Sequence, residues 1–165
     1  MTNMKKTSVL VAGLVTLACG LQIRADRSDR SLSLLHPKNA ETIRCQLHPD
    51  NTYRFSVSGI SKGISKYETV LLWVQPVNPQ SETPGWYLQR GFNGIRKFEP
   101  TGEFQGIGEI GNRQFPPRAG DTMNVAVTVL DIRVAERLLS ERGVVTCVNL
   151  PGEVTDVAWK VRVGM

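Results

Sequence analysis

The stretch DTMNVAVTVLDI, residues 121–132, is the longest two-residue alternation in the chain. Met123, Val125, Val127 and Val129 face one way, while Asn124, Ala126 and Thr128 face the other. Successive side chains of a strand point to opposite faces, so this period predicts a β-strand with one face in a core. Working upstream, TYRFSVSG repeats the pattern with Tyr53, Phe55 and Val57, and it ends at Gly59. ETVLLWVQPVNP is apolar almost without interruption, as expected of a central strand buried on both faces, and Pro76 and Pro79 mark its end. GWYLQR predicts a short strand after the Pro84-Gly85 turn, and turns follow at Asn93-Gly94 and at Pro100-Thr101-Gly102.

Downstream, VAERLLSER over 134–142 places Val134, Leu138 and Leu139 at helical spacing before Gly143, which predicts one short helix. GVVTCVNL and VTDVAWKVRV complete the set, the latter with Val157, Trp159, Val161 and Val163 on one face against Lys160 and Arg162. About eight strands at roughly ten-residue spacing with one helix predict an all-β fold, an antiparallel β-sandwich or barrel.

The chain divides into three parts. Residues 1–25 begin with Lys5 and Lys6, continue uncharged from Thr7 to Ile23, and end before Asp26, which is the layout of a signal peptide. Residues 26–40, DRSDRSLSLLHPKNA, are polar and without period, and predict a flexible tether. The folded β-sandwich domain is expected over 41–165. Within the leader, Leu17-Ala18-Cys19 resembles a bacterial lipoprotein lipobox, with Thr16 where that pattern usually has Leu. The resemblance implies cleavage before Cys19, acylation of Cys19 and attachment to a membrane through a lipid anchor. Plain cleaved export and a retained helix are the alternatives, although 17 uncharged residues are short for a membrane span. The expected location is extracytoplasmic, in a bacterial periplasm or at a cell surface.

Two further cysteines, Cys45 and Cys147, lie in strand-like contexts near opposite ends of the folded region. An exported domain could pair them, and a disulfide closing about 100 residues stabilises by about 4 to 5 kcal/mol in the chain-entropy picture. The competing reading is two buried free thiols. No CxxC or paired histidine accompanies them, which argues against a metal site.

The net charge of +5 raises the question of nucleic acid. Lys5, Lys6 and Arg24 supply three of the 20 basic residues, so 17 remain against 15 acids in the rest of the chain, with no Lys/Arg run. Nucleic-acid binding is not expected. Gly106-x-Gly108-x-x-Gly111 has the spacing of a dinucleotide fingerprint, but Pro116-Pro117 blocks the helix that such a site needs. No nucleotide and no other cofactor is expected, and the glycines are read as tight packing or a bulge on a strand carrying Phe104, Ile107 and Ile110.

Over Thr69–Ile132, the succession VLLWVQPVNP, GWYLQRG, GEFQGIGEIGN and GDTMNVAVTVLDI resembles an immunoglobulin-like β-sandwich module of bacterial exported and multidomain proteins. The resemblance implies a fold and transfers no catalytic residue, because such modules share no single function. Catalytic groupings are hard to assemble. His36 and His48 stand in His-Pro contexts, no Gly-x-Ser-x-Gly elbow is present, and Glu99, Glu103 and Glu109 read as solvated charges. Trp86 and Tyr87 are adjacent on a strand, so one of them should face outward. With Phe92 and Phe115 in neighbouring turns they form a candidate ligand-contact patch of the kind that stacks on sugars or anchors a protein. The competing reading places Trp73, Trp86 and Trp159 in the core. The expected function is a non-enzymatic exported module binding a protein, glycan or envelope component. A small exported hydrolase is the alternative, and it requires a pocket that brings His48 together with a carboxylate or Ser.

Overall fold

The alternating stretch and the continuous apolar run pair with each other along their whole length. In the computed structural model β8 (Thr122–Asp131) lies antiparallel to β5 (Glu68–Val77), from Glu68 opposite Asp131 to Val77 opposite Thr122. The structure describes residues 29–77, 85–90, 101–152 and 154–164. Around the β5–β8 pair a six-stranded sheet runs β2–β10–β8–β5–β6–β9, built from β2 (Thr42–Arg44), β6 (Trp86–Leu88), β9 (Thr146–Cys147) and β10 (Val154–Gly164). Only β2 joins it in parallel, alongside β10. The second sheet is centred on β4 (Thr52–Lys62), with β1 (Ser31–His36) and β3 (Gln46–Leu47) on one side and β7 (Thr101–Asn112) on the other, all antiparallel.

The two sheets enclose one core and the helix encloses another. Phe55 and Val57 of β4 and Phe104 of β7 meet Val70, Leu72 and Val74 of β5 and Met123, Val125, Val127 and Val129 of β8. The opposite faces of the same two central strands carry Leu71, Trp73, Ala126 and Leu130. These are covered by α1 (Ile132–Ser140) through Ala135, Val134, Leu138 and Leu139. The apolar run of β5 is therefore buried on both faces, as its composition predicts. Asp131 caps α1, its carboxylate accepting from the Arg133 amide, so the helix begins two residues before the expected 134. One polar bond lies within the outer core: Trp73 Nε1 donates to Thr128 Oγ1 at 2.9 Å, both residues fully buried. A buried indole N–H needs such an acceptor, which is why a threonine is tolerated there.

Two reciprocal pairs lock β4 to β7. Phe55 lies opposite Gly108 and Phe104 opposite Gly59. A methyl group at Gly108 would stand 2.3 Å from Phe55 Cζ, and one at Gly59 would stand 2.1 Å from Phe104 Cζ. Each ring thus occupies the space its partner leaves empty; Gly108 serves packing, in keeping with the tight strand read from the sequence, whereas Gly59 does not end its strand as read there but lies inside β4, which continues to Lys62.

Four expectations are corrected. Residues 31–36, read as tether, form β1, because Leu32 enters the core between the sheets and the strand pairs with β4. The segment IRCQL is not one strand: it leaves the six-stranded sheet after Arg44 and enters the other at Gln46, with buried Cys45 at the crossing. The face assignment of β10 changes part-way. A bulge at Trp159–Lys160 shifts the register between Ala158 and Val161, and a one-residue shift exchanges the faces of a strand. Ala158 faces the inner core before it and Val161 and Val163 after it, leaving Trp159 outside, 50% exposed. Finally, Cys45 and Cys147 are not paired. Cys45 belongs to the core between the sheets and Cys147 packs on the outer core, so the six-stranded sheet separates them. Burial raises both thiols, Cys45 to about 11.

Candidate functional site

Adjacent residues on β6 send their side chains to opposite faces, and here the division is sharp. Trp86 is 5% exposed and enters the outer core, whereas Tyr87 turns the other way and is 40% exposed. Tyr87 lines a depression of about 370 Å³ between β6 and the end of β7, with Pro76, Arg90, Glu109, Ile110 and Val144 around it. A second depression of about 630 Å³ adjoins it, lined by Phe115, Pro117, Arg118 and Asp121. The two share Pro76, Ile110 and Gly111, so together they form one groove with an apolar floor.

The second aromatic is placed by a tight turn. Gly111 has φ +66°, and a methyl group there would lie 2.5 Å from the Phe115 carbonyl oxygen. Asn112 closes the turn: its Oδ1 accepts from the Gln114 and Phe115 amides at 2.9 Å each, and its own amide donates to Phe115 O. Pro116 and Pro117 fix the exit of the chain. The consequence is a phenyl ring standing 75% exposed at the rim.

The polar wall is held by bonds spanning the two sheets. Gln89 donates from its backbone to Leu72 O at 2.9 Å, while its Oε1 accepts from the Glu109 amide of β7 at 2.7 Å. Glu109 Oε1 also accepts from Arg54 Nε at 3.0 Å, and the same guanidinium pairs with Asp50. The Thr52 hydroxyl, foremost, with the Thr52 amide, Arg54 and His48, holds the Asp50 carboxyl down at about 2. Arg90 donates to the Glu141 carbonyl beyond the end of α1. These bonds orient the wall.

Of the four aromatics singled out in the sequence, the structure brings Tyr87 and Phe115 to one groove and sends Trp86 to the core. Phe92 lies outside the described residues, as do Cys19 and Glu99. Glu103 and Glu109 stand six residues apart on one strand, about 20 Å, beyond the separation of a glycosidase carboxylate pair. His48 does approach a carboxylate, Asp50 at 3.3 Å, but on an exposed turn that lines neither depression. His36 pairs with Glu41 at 3.0 Å. Among the described residues no three His, Cys, Asp or Glu side chains gather as a metal site would require. The stretch with the dinucleotide spacing is part of strand β7 and leads into the Asn112 turn instead of a helix. Gln89, Arg90 and Val144 went unnoticed in the sequence, and Ile110 was read only as an apolar residue of its strand, because a groove wall assembled from three separate segments leaves no local pattern. No protein-family model, curated protein or solved structure matches the chain.

Proposed function

We propose that this chain is an exported, lipid-anchored and non-enzymatic module of immunoglobulin-like β-sandwich type that binds a protein, glycan or other envelope component through the Tyr87–Phe115 groove. The observation that carries it is the groove itself: two exposed aromatic rings at adjoining depressions over a floor of Pro76, Ile110 and Gly111. Aromatic anchors on a stiff floor are what recognition surfaces use, since little side-chain freedom is lost on binding. The immunoglobulin-like reading is supported by two packed sheets, antiparallel ladders in both, and a first segment that crosses from one sheet to the other. Export and acylation at Cys19 rest on the leader sequence.

Two measurements test it. The intact mass of the protein recovered from cells should correspond to a chain starting at Cys19 with added acyl mass. An unmodified start or a retained leader removes the anchor. A photo-crosslinking amino acid in place of Phe115 should give an adduct with an envelope component that disappears on Tyr87→Ala. The same adduct from the exposed Tyr67 position would show that the groove does not select its partner.

A further inference from the structure

The bulge on β10 has an outcome separate from the groove. It turns Trp159 out of the core, and the main chain there is fixed by three bonds: the Trp159 amide donates to Asn39 Oδ1 at 2.7 Å, its carbonyl accepts from the Ala40 amide at 2.8 Å, and the Lys160 amide donates to Asn124 Oδ1 at 3.0 Å. Lys160 itself has φ +55°, a conformation that costs a lysine free energy and persists only where its surroundings impose it. Trp86 packs on the indole with ring centroids 6.1 Å apart and planes inclined by 67°. A half-exposed tryptophan is thereby anchored through its main chain and braced by a second ring.

The face beyond it is not covered by α1. The inner-facing residues of this end are Ile43, Val161 and Val163, so alternation places Thr42, Arg44 and Arg162 on the outer face. Arg162 lies opposite Thr42, and Arg44 opposite Gly164, two positions further along the strands, so the two arginines stand about 8 Å apart at the Cα atoms. Among the described residues neither arginine, nor Lys160, has an acidic partner within ion-pair distance. Glu41 of the preceding loop is already engaged by His36 and by the Lys38 amide.

We infer that this strip, Trp159 followed by Arg162 and Arg44, is a binding site for a carboxylate-bearing glycan such as a uronic-acid polymer. A pyranose ring stacks on a braced indole face, and guanidinium forks pair with the sugar carboxylates in bidentate fashion. Thr42 is a neighbour of both arginines on the same face and offers a hydroxyl to the sugar. A protein partner would call for a larger apolar centre than one indole, and a linear polyanion matches a row of cations along a strand pair.

The test uses the protein recovered from cells, with polygalacturonate, a neutral dextran of matched length and anionic phospholipid vesicles as probes, read by tryptophan fluorescence and calorimetry. Polygalacturonate is expected to bind at least about tenfold more tightly than dextran and to weaken with added salt. Trp159→Ala and Arg44→Gln/Arg162→Gln should each lower the affinity by about tenfold or more. Trp159→Phe keeps a ring against Trp86 and should retain binding within about threefold, which separates loss of stacking from loss of fold. Tyr87→Ala, which abolishes the groove's adduct, should leave polygalacturonate binding unchanged. The inference is overturned if dextran binds equally, if the arginine variant binds like the parent, if the groove variant loses polygalacturonate, or if only anionic phospholipid vesicles bind.

Discussion

Gly108→Ala tests whether β4 and β7 are held by ring-over-glycine packing. The added methyl would stand 2.3 Å from Phe55 Cζ and 2.7 and 2.8 Å from its two Cε atoms. Carbon atoms rest at about 3.5 to 4.0 Å, so the ring must withdraw by more than about 1 Å. Phe55 is buried among Val57, Val127 and their neighbours and has nowhere to withdraw without displacing them. Overpacking of this kind costs about 1 to 3 kcal/mol. Alanine recovers about 0.5 to 1 kcal/mol by narrowing the unfolded ensemble. The net expectation is a loss of about 1 to 2 kcal/mol, seen as a lower denaturant midpoint at unchanged slope, with a fall in Tm of about 2 to 4 °C per kcal/mol. Phe55→Leu alone should also destabilise, by leaving part of the ring's volume empty. Combined with Gly108→Ala, the new methyl fills some of that volume, and the pair should be more stable than the sum of the two losses by about 1 kcal/mol. Urea titration of the four proteins decides. A Gly108→Ala protein as stable as the parent, or a strictly additive double variant, would refute the packing argument.

Trp73→Phe removes the donor that satisfies the buried Thr128 hydroxyl and should cost about 1 to 3 kcal/mol, with Thr128→Val in the same background recovering part of it; no recovery would mean the bond is not the source. Alkylation in denaturant without reductant should modify both Cys45 and Cys147, and a requirement for reductant would contradict their separation by the six-stranded sheet. Because Asp50 is held at about 2 against an ordinary 3.8, the folded state favours the carboxylate, so its contribution is present above about pH 4 and lost as pH falls towards 2. Asp50→Asn should therefore flatten the fall of the urea midpoint over that interval, and an unchanged slope would remove the Thr52 and Arg54 interactions from the account. Cys45 works in the opposite sense, since its thiol is raised from 9.0 to about 11: the parent should lose stability as pH rises between those values, and Cys45→Ala should lose less over the same interval.

The parts of the fold that could be read from the sequence are those whose side chains report their surroundings locally. The unbroken apolar run of β5 requires apolar neighbours on both faces, and the alternation of β8 supplies the face beneath the other sheet. The division of Trp86 from Tyr87 follows from strand geometry, although which ring would be inside depended on the outer core around Trp86 and the depression left beside Tyr87. What escaped reading depends on distant contacts. SLSLLH alternates well enough for a strand, but its charged flanks concealed it until β4 offered an edge. The phase of VTDVAWKVRV breaks at a bulge whose bonds come from Asn39 and Asn124, far away in sequence. Cys45 and Cys147 both suit apolar surroundings, and only the layering shows that these are two different cores. At the groove, Phe115 was visible as an aromatic in a turn, whereas Gln89 was not, because its role is a bond to a strand that begins twelve residues later.

The crossing at Cys45 bears on the order in which the molecule can assemble. A single residue joins a strand belonging to one sheet to a strand belonging to the other, so β2 cannot take its place until both sheets exist and stand at the right separation. Its partner on β10 is some 120 residues away along the chain, Thr42 beside Arg162. Closing so long a loop for only three paired residues is unfavourable until the rest of the chain has already shortened the distance. The β4–β7 and β5–β8 ladders are therefore expected to form early, and β2 to act as the final latch, which makes it also the first part to open under mild stress.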